Sequence, residues 1–296
     1  MTEQIFGIVG FPWDGGASLG RPGARFAPKS VREAAEWLQN RITDNQIYNV
    51  EKRKLIDLSN HPIKDYGDID IIAYSTEKTF ENAEKKVADL LQEGIFPFII
   101  GGDHSISYPP IKALHDSTDG KVAVIQFDAH LDLVDDSPVQ GKFSQSSQMR
   151  RALELDRVHP ENIIQIGVRN YNYPWYAGYL KKTGIQQITA AEVHNSTPEQ
   201  VIEQALQACE GVDKIYLTFD IDVLDPAFAP GSVANEPGGL TPVQCFSILD
   251  GLYNHIDAMD IAEVNPLYDP QGITTSIAAQ ILFNCATERA VTVDGF

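Results

Sequence analysis

Lys121-Val122-Ala123-Val124-Ile125-Gln126-Phe127-Asp128-Ala129-His130-Leu131-Asp132 is a short, nearly continuous apolar run that ends in polar residues spaced by two. The run Val122–Phe127 is rich in β-branched and aromatic side chains, which predicts a strand buried on both faces of a parallel sheet. Beyond it, positions 128, 130 and 132 alternate, so an extended chain projects two carboxylates and an imidazole to one side. Similar runs recur at Ile5–Gly10, Lys54–Leu58, Phe96–Ile100, Ile163–Val168, Ile215–Phe219 and Ala258–Val264. Between them lie amphipathic stretches that predict helices over Ser30–Gln39, Glu77–Gln92, Ser147–Leu155, Pro198–Ala208, Pro242–Tyr253 and Thr275–Ala286. Pro28, Thr197-Pro198 and Thr241-Pro242 read as helix starts, the threonines as caps with proline in the first turn. Alternation of this kind predicts an α/β fold over residues 1–296, a single doubly wound domain with a mostly parallel central sheet between two helical layers.

In such a sheet the ligand site lies beyond the carboxyl ends of the strands. Three clusters meet that rule: Gly101-Gly102-Asp103-His104-Ser105, Asp128-Ala129-His130-Leu131-Asp132, and Asp220-Ile221-Asp222 followed by Asp225-Pro226. Asp220 and Asp222 again share a face. Carboxylates crowded this way repel one another unless a cation or protons neutralise them. The donors are carboxylate and imidazole with no thiolate, a set that suits Mn²⁺ better than structural Zn²⁺, with Ni²⁺ as an alternative. Four carboxylates (Asp128, Asp132, Asp220, Asp222) against two histidines (His104, His130) suit two ions about 3.5–4 Å apart that share ligands. An acidic residue after a strand often only caps a turn, and that reading is preferred for Asp225.

Composition narrows the setting. With 23 Lys+Arg against 41 Asp+Glu the net charge is −18, which disfavours nucleic acid and anionic membrane as partners. Cys209, Cys245 and Cys285 form no disulfide framework or zinc pattern, and the start of the chain has no basic, apolar leader. A cytoplasmic protein is expected.

The quoted clusters resemble the metal motifs of the ureohydrolase family, which contains arginase, agmatinase, guanidinobutyrase and formimidoylglutamase. Asp260-Ile261-Ala262-Glu263-Val264-Asn265-Pro266 resembles a fourth motif, and Arg21-Pro22-Gly23-Ala24-Arg25-Phe26 an amino-terminal loop. The likeness runs from about Gly7 to Ala286. It implies a dinuclear manganese hydrolase that cleaves the C–N bond of a linear amidine. His104 and Asp132 would serve one Mn²⁺ and His130 and Asp222 the other, with Asp128 and Asp220 bridging. Glu263 would orient the amidinium. Asp132 or Asp103 would relay a proton to the departing nitrogen, unless Asp103 only orders His104. A homo-trimer or homo-hexamer is also implied.

Substrate choice turns on departures from that pattern. Arginases and agmatinases usually carry a histidine where this chain has Gln145, whereas formimidoylglutamases commonly lack it. Glu263 to Asp269 also resembles formimidoylglutamases, while Asn235-Glu236-Pro237-Gly238-Gly239 and Gly272-Ile273-Thr274 resemble agmatinases. Formimidoylglutamase, releasing glutamate and formamide, is therefore the first expectation, and agmatinase or another urea-releasing guanidino hydrolase the second. A dicarboxylate substrate wants fixed cations, for which Arg169 stands at the correct sheet edge. An amine-tailed substrate wants acids, for which Asp135 and Asp136 are candidates. A non-catalytic subunit of a ureohydrolase oligomer would be marked by lost metal ligands, and all six are present. A zinc deacetylase of related fold fits the two paired acid/histidine sets less well.

Overall fold

In a computed structural model describing residues 4–16, 20–136 and 138–293, the apolar runs form the middle of a parallel sheet. In chain order the strands are β1 (Phe6–Gly10), β2 (Gln46–Asn49), β3 (Lys54–Asp57), β4 (Ile63–Asp68), β5 (Phe96–Ile100), β6 (Val122–Phe127), β7 (Val158–Val168), β8 (Gln186–Thr189), β9 (Lys214–Asp220), β10 (Ala258–Ala262) and β11 (Val291–Val293). Eight of them make one sheet in the order β4-β1-β5-β10-β9-β6-β7-β8, every pairing parallel.

Alternate residues of the central strands feed two cores. Phe96, Phe98, Ile100, Ala123, Ile125 and Phe127 face the core shared with the helices Ala27–Gln39, Pro198–Ala208, Pro242–Leu252 and Ile273–Glu288. Ile99, Val122 and Val124 face the opposite side, where the helices Thr76–Gln92 and Tyr108–Asp116 pack. Helices on both faces explain why strands such as FPFII and VAVIQF are buried along their whole length. The threonine-proline starts behave as their chemistry dictates. Thr197 and Thr241 each cap a helix and exchange reciprocal hydrogen bonds with Gln200 and Gln244.

Two expectations are corrected. Lys54–Leu58 does not join the parallel sheet, because β3 pairs antiparallel with β2 and β11 in a separate three-stranded sheet. Pro28 lies inside the first turn of its helix rather than before it. Strands β4 and β8 were not expected at all. Both lie at sheet edges, and their sequences IKDYGD and QQIT lack the apolar continuity of a central strand. The helix Tyr108–Asp116 was hidden by Pro109 and Pro110, which sit harmlessly in its first turn. Among the described residues no helix is long and apolar enough to cross a membrane.

Candidate metal centre

Strands β5, β10, β9 and β6 are consecutive neighbours in the sheet, and each delivers one acidic motif at its carboxyl end. His104 follows β5, Glu263 follows β10, Asp220 closes β9, and Asp128 follows β6. Gly102 lets β5 end tightly against the amino-terminal segment, since a Cβ there would fall 1.4 Å from the carbonyl oxygen of Trp13.

The six residues singled out for metal come together. His104 Nδ1 lies 3.1 Å from Asp128 Oδ2, 3.1 Å from Asp132 Oδ2 and 3.0 Å from Asp220 Oδ2. His130 Nδ1 lies 3.4 Å from Asp128 Oδ1 and 3.1 Å from Asp222 Oδ2. Asp128 thus turns one oxygen to each histidine. Although three carboxylate oxygens surround it, His104 Nδ1 is buried and forms a hydrogen bond to none of them. A ring nitrogen aimed between three anionic oxygens is the arrangement a cation satisfies. Histidine nitrogen with carboxylate oxygen suits a divalent ion of the Mn²⁺ class. The residues therefore fit the metal that the motifs imply.

Charge balance agrees. Burial, then the charge of Asp128, pushes the Asp132 carboxyl up to about 7. Burial, then Asp222 and Asp128, pushes Asp220 well above the usual carboxylate range. Burial opposes charge on Asp128 too, but His104 and His130 outweigh it and hold this carboxyl low. His104 is raised well above its ordinary value, because Asp128, Asp132 and Asp220 overcome the cost of its burial. Protons are held where divalent cations would otherwise supply the positive charge.

Neutral donors fix the carboxylates. Gln126 Nε2 donates to Asp128 Oδ2 at 2.5 Å, and Gln126 Oε1 accepts from Gln165 on the neighbouring strand at 2.7 Å. Gln148 Nε2 donates to Asp132 Oδ2 at 2.5 Å. The backbone amides of Ala129 and Asp222 bond Asp222 Oδ1 and Asp220 Oδ1. These glutamines escaped the sequence reading. The signal that could have found Gln126 is a polar residue inside an otherwise apolar strand, which once buried requires a partner.

Asp132 and Glu263 have φ of +49° and +63°. A left-handed backbone at residues with a Cβ costs about 1–3 kcal/mol each and concentrates at functional sites. Both residues line a cavity of about 420 Å³, together with His130, Gln145, Tyr171 and Tyr173. Glu263 Oε1 accepts from the amide of His104 at 2.7 Å, but its Oε2 is buried without a hydrogen-bond partner among the described residues. Gln145 Oε1 is likewise buried and unpartnered, while its backbone amide bonds Gly16.

Asp103 and Arg169 do not take the places foreseen for them. The Asp103 carboxylate accepts from the amides of Gly16 and Ser105 and from the Ser105 hydroxyl, and it is fully buried. It ties down a turn and neither bonds the His104 ring nor lines the cavity. Arg169 is not among the residues that line the cavity. Its guanidinium donates to the carbonyl oxygens of Gly167, Asp222, Val223, Leu224 and Glu236, so it braces the segment that carries Asp222. Asp135 is paired with Arg150 and Arg151 and is not free for an amine. Asp225 accepts from the amides of Ala227, Gly238 and Gly239, as a turn-capping residue does.

Known proteins resemble this chain along nearly its whole length. Residues 4–287 match the family model described as Arginase family. Guanidinobutyrase from Pseudomonas aeruginosa is 32% identical over 93% of this chain and 83% of its own. The structure of formimidoylglutamase from Bacillus subtilis superposes with a TM-score of 0.85 at 28% identity, covering 97% of this chain and 88% of that one. Formiminoglutamase from Trypanosoma cruzi with Mn²⁺ gives a TM-score of 0.82 at 26% identity, over 97% and 93% of the two chains. The chain belongs to the arginase family.

Proposed function

We propose that this protein hydrolyses the C–N bond of a linear amidine at a centre of two Mn²⁺ ions per chain, held by His104, Asp128, His130, Asp132, Asp220 and Asp222. The observation that carries the reading is the pair of buried, unpartnered acceptors, Glu263 Oε2 and Gln145 Oε1, on residues lining one cavity beside these ligands. Unpaired buried acceptors are costly, and an amidinium offers the N–H donors that would satisfy them. Glu263 would fix the plane of that head group through charge-assisted hydrogen bonds. Metal, when bound, supplies Lewis acidity and lowers the pKa of a water held near it. Of the two carboxylates expected to move a proton, Asp132 lines the cavity and Asp103 is sealed. Proton transfer to the departing nitrogen therefore falls to Asp132. Family resemblance and three buried thiols that form no disulfide support a cytoplasmic homo-oligomer, trimer or hexamer.

Charge selects the tail. Among the described residues lining the cavity there is no Lys or Arg, and three of the four acids that line it, Asp132, Asp220 and Asp222, are committed to metal in this reading. A substrate with two carboxylates would therefore find no fixed cation to pair its tail. With Arg169 occupied by carbonyl groups, we favour a guanidino compound whose tail bears no carboxylate pair, with urea as product. N-formimino-L-glutamate is the second reading, favoured by Gln145 in place of the histidine. The test is product identity from Mn²⁺-loaded protein offered agmatine, guanidinobutyrate, guanidine, arginine and N-formimino-L-glutamate together. Urea is expected. Formamide with glutamate would overturn the tail assignment and keep the centre, and the absence of any product would overturn the reading as a whole.

A further inference from the structure

We infer that Thr218 and Asp260 are positioning residues that hold the His104 ring in the tautomer that presents Nδ1 to metal, an inference resting on the metal reading above. Tyr216, Thr218 and Asp220 alternate along β9 and so project to one face. In the parallel register Thr218 lies opposite Asp260 on β10. Both side chains are completely buried. Thr218 Oγ1 donates to Asp260 Oδ1 at 2.8 Å and lies 2.8 Å from His104 Nε2. The other Asp260 oxygen accepts from the Tyr216 hydroxyl at 2.7 Å.

A hydroxyl has one proton to give. That of Thr218 goes to Asp260, the Ser107 hydroxyl 3.1 Å away being free to donate to Thr218 in turn, so toward the imidazole Thr218 accepts. His104 Nε2 must then carry the proton, which leaves the Nδ1 lone pair facing Asp128, Asp132 and Asp220. Metal-binding histidines commonly donate their other nitrogen to a carboxylate or carbonyl, which fixes the ring and raises its basicity. Here a threonine hydroxyl stands between ring and carboxylate. Among the described residues His130 has no such support. The nearest carboxylate to its Nε2 is Glu236 Oε1 at 3.9 Å, beyond hydrogen-bond reach. The device therefore acts on one end of the centre alone.

The experiment is calorimetric titration of Mn²⁺ into metal-free wild type, Thr218→Val and Thr218→Ser. Wild type should take two equivalents. Thr218→Val, which keeps the shape and removes the hydroxyl, should weaken one equivalent about 10–100-fold and spare the other. Thr218→Ser should restore it, which a role in filling space alone would not achieve. Two equivalents of wild-type affinity in Thr218→Val, or equal weakening of both, would overturn the inference. No binding by wild type would instead overturn the metal reading itself. Should Thr218→Val not fold, ¹⁵N histidine spectra of wild type loaded with diamagnetic Zn²⁺ decide the matter. A proton on His104 Nε2 is expected, and a proton on Nδ1 overturns the inference.

Discussion

The two histidines sit in the same cradle under opposite conditions. The His104 side chain is 1% exposed, meets three carboxylate oxygens and is braced from behind by a hydroxyl and a buried acid. The His130 side chain is 30% exposed, meets two carboxylates and lines the cavity. Similar donors in unlike surroundings divide the labour. In the proposed reading the sealed end holds an ion away from solvent, and the open end leaves room for water and substrate. Asp128 belongs to both, with one oxygen toward each ring.

Breaking the shared residue should have the largest effect. Asp128→Ala removes an oxygen from each end, so both equivalents of Mn²⁺ should weaken and turnover should fall on the order of 10³-fold or more, the scale of losing a central catalytic group. Calorimetry and product assay on the same sample check this. Full retention of one equivalent would show that Asp128 serves a single end.

Substituting the histidines one at a time sharpens the contrast. His130→Ala should lose one equivalent and leave the fold intact, because the side chain is partly in solvent. His104→Ala should lose the other equivalent and also cost about 2–3 kcal/mol of metal-free stability. It opens a cavity in the closed core and leaves the Thr218 hydroxyl without its ring partner. Denaturant unfolding of the two metal-free variants measures the difference. Equal destabilisation would erase the distinction drawn between the ends.

How much of this was readable beforehand differs by residue. The metal-binding set was legible because each member ends an apolar strand, and strand ends in a parallel sheet converge. Four adjacent strands made that convergence real. The edge strands β4 and β8 were not legible, since their half-exposed residues carry no apolar continuity. Gln126 and Thr218 are single polar residues inside otherwise apolar strand runs. Their meaning lies in cross-strand register, Gln126 beside Gln165 and Thr218 beside Asp260, which one strand alone does not encode. Arg169 was misjudged for a related reason. Its place at the sheet edge was legible, but the carbonyl groups of Asp222 and Glu236 that claim its guanidinium come from distant segments.

The smallest expected effect concerns protons, and it follows from the same asymmetry. Without metal the sealed end gathers raised groups, namely His104, Asp132 at about 7 and Asp220, while the open end contributes His130, raised because Asp222 and Asp128 outweigh its burial. A carboxyl raised on folding adds stability that is fully present below its unfolded value near 4. For Asp132 that contribution is lost as pH climbs through about 7. Raised His104 acts in the same sense, contributing fully below its ordinary 6.5 and losing that contribution as pH climbs through its raised value. Metal-free protein should therefore melt at progressively lower temperature between about pH 5 and pH 8. Metal binding must displace these protons, so Mn²⁺ affinity should rise over the same window. It should rise more steeply for the equivalent at the His104 end, where more protons leave. Melting curves with and without Mn²⁺ across that range should diverge as pH increases. A constant gap would mean that the sealed end holds no exchangeable protons, and the contrast between the two ends would then be one of access alone.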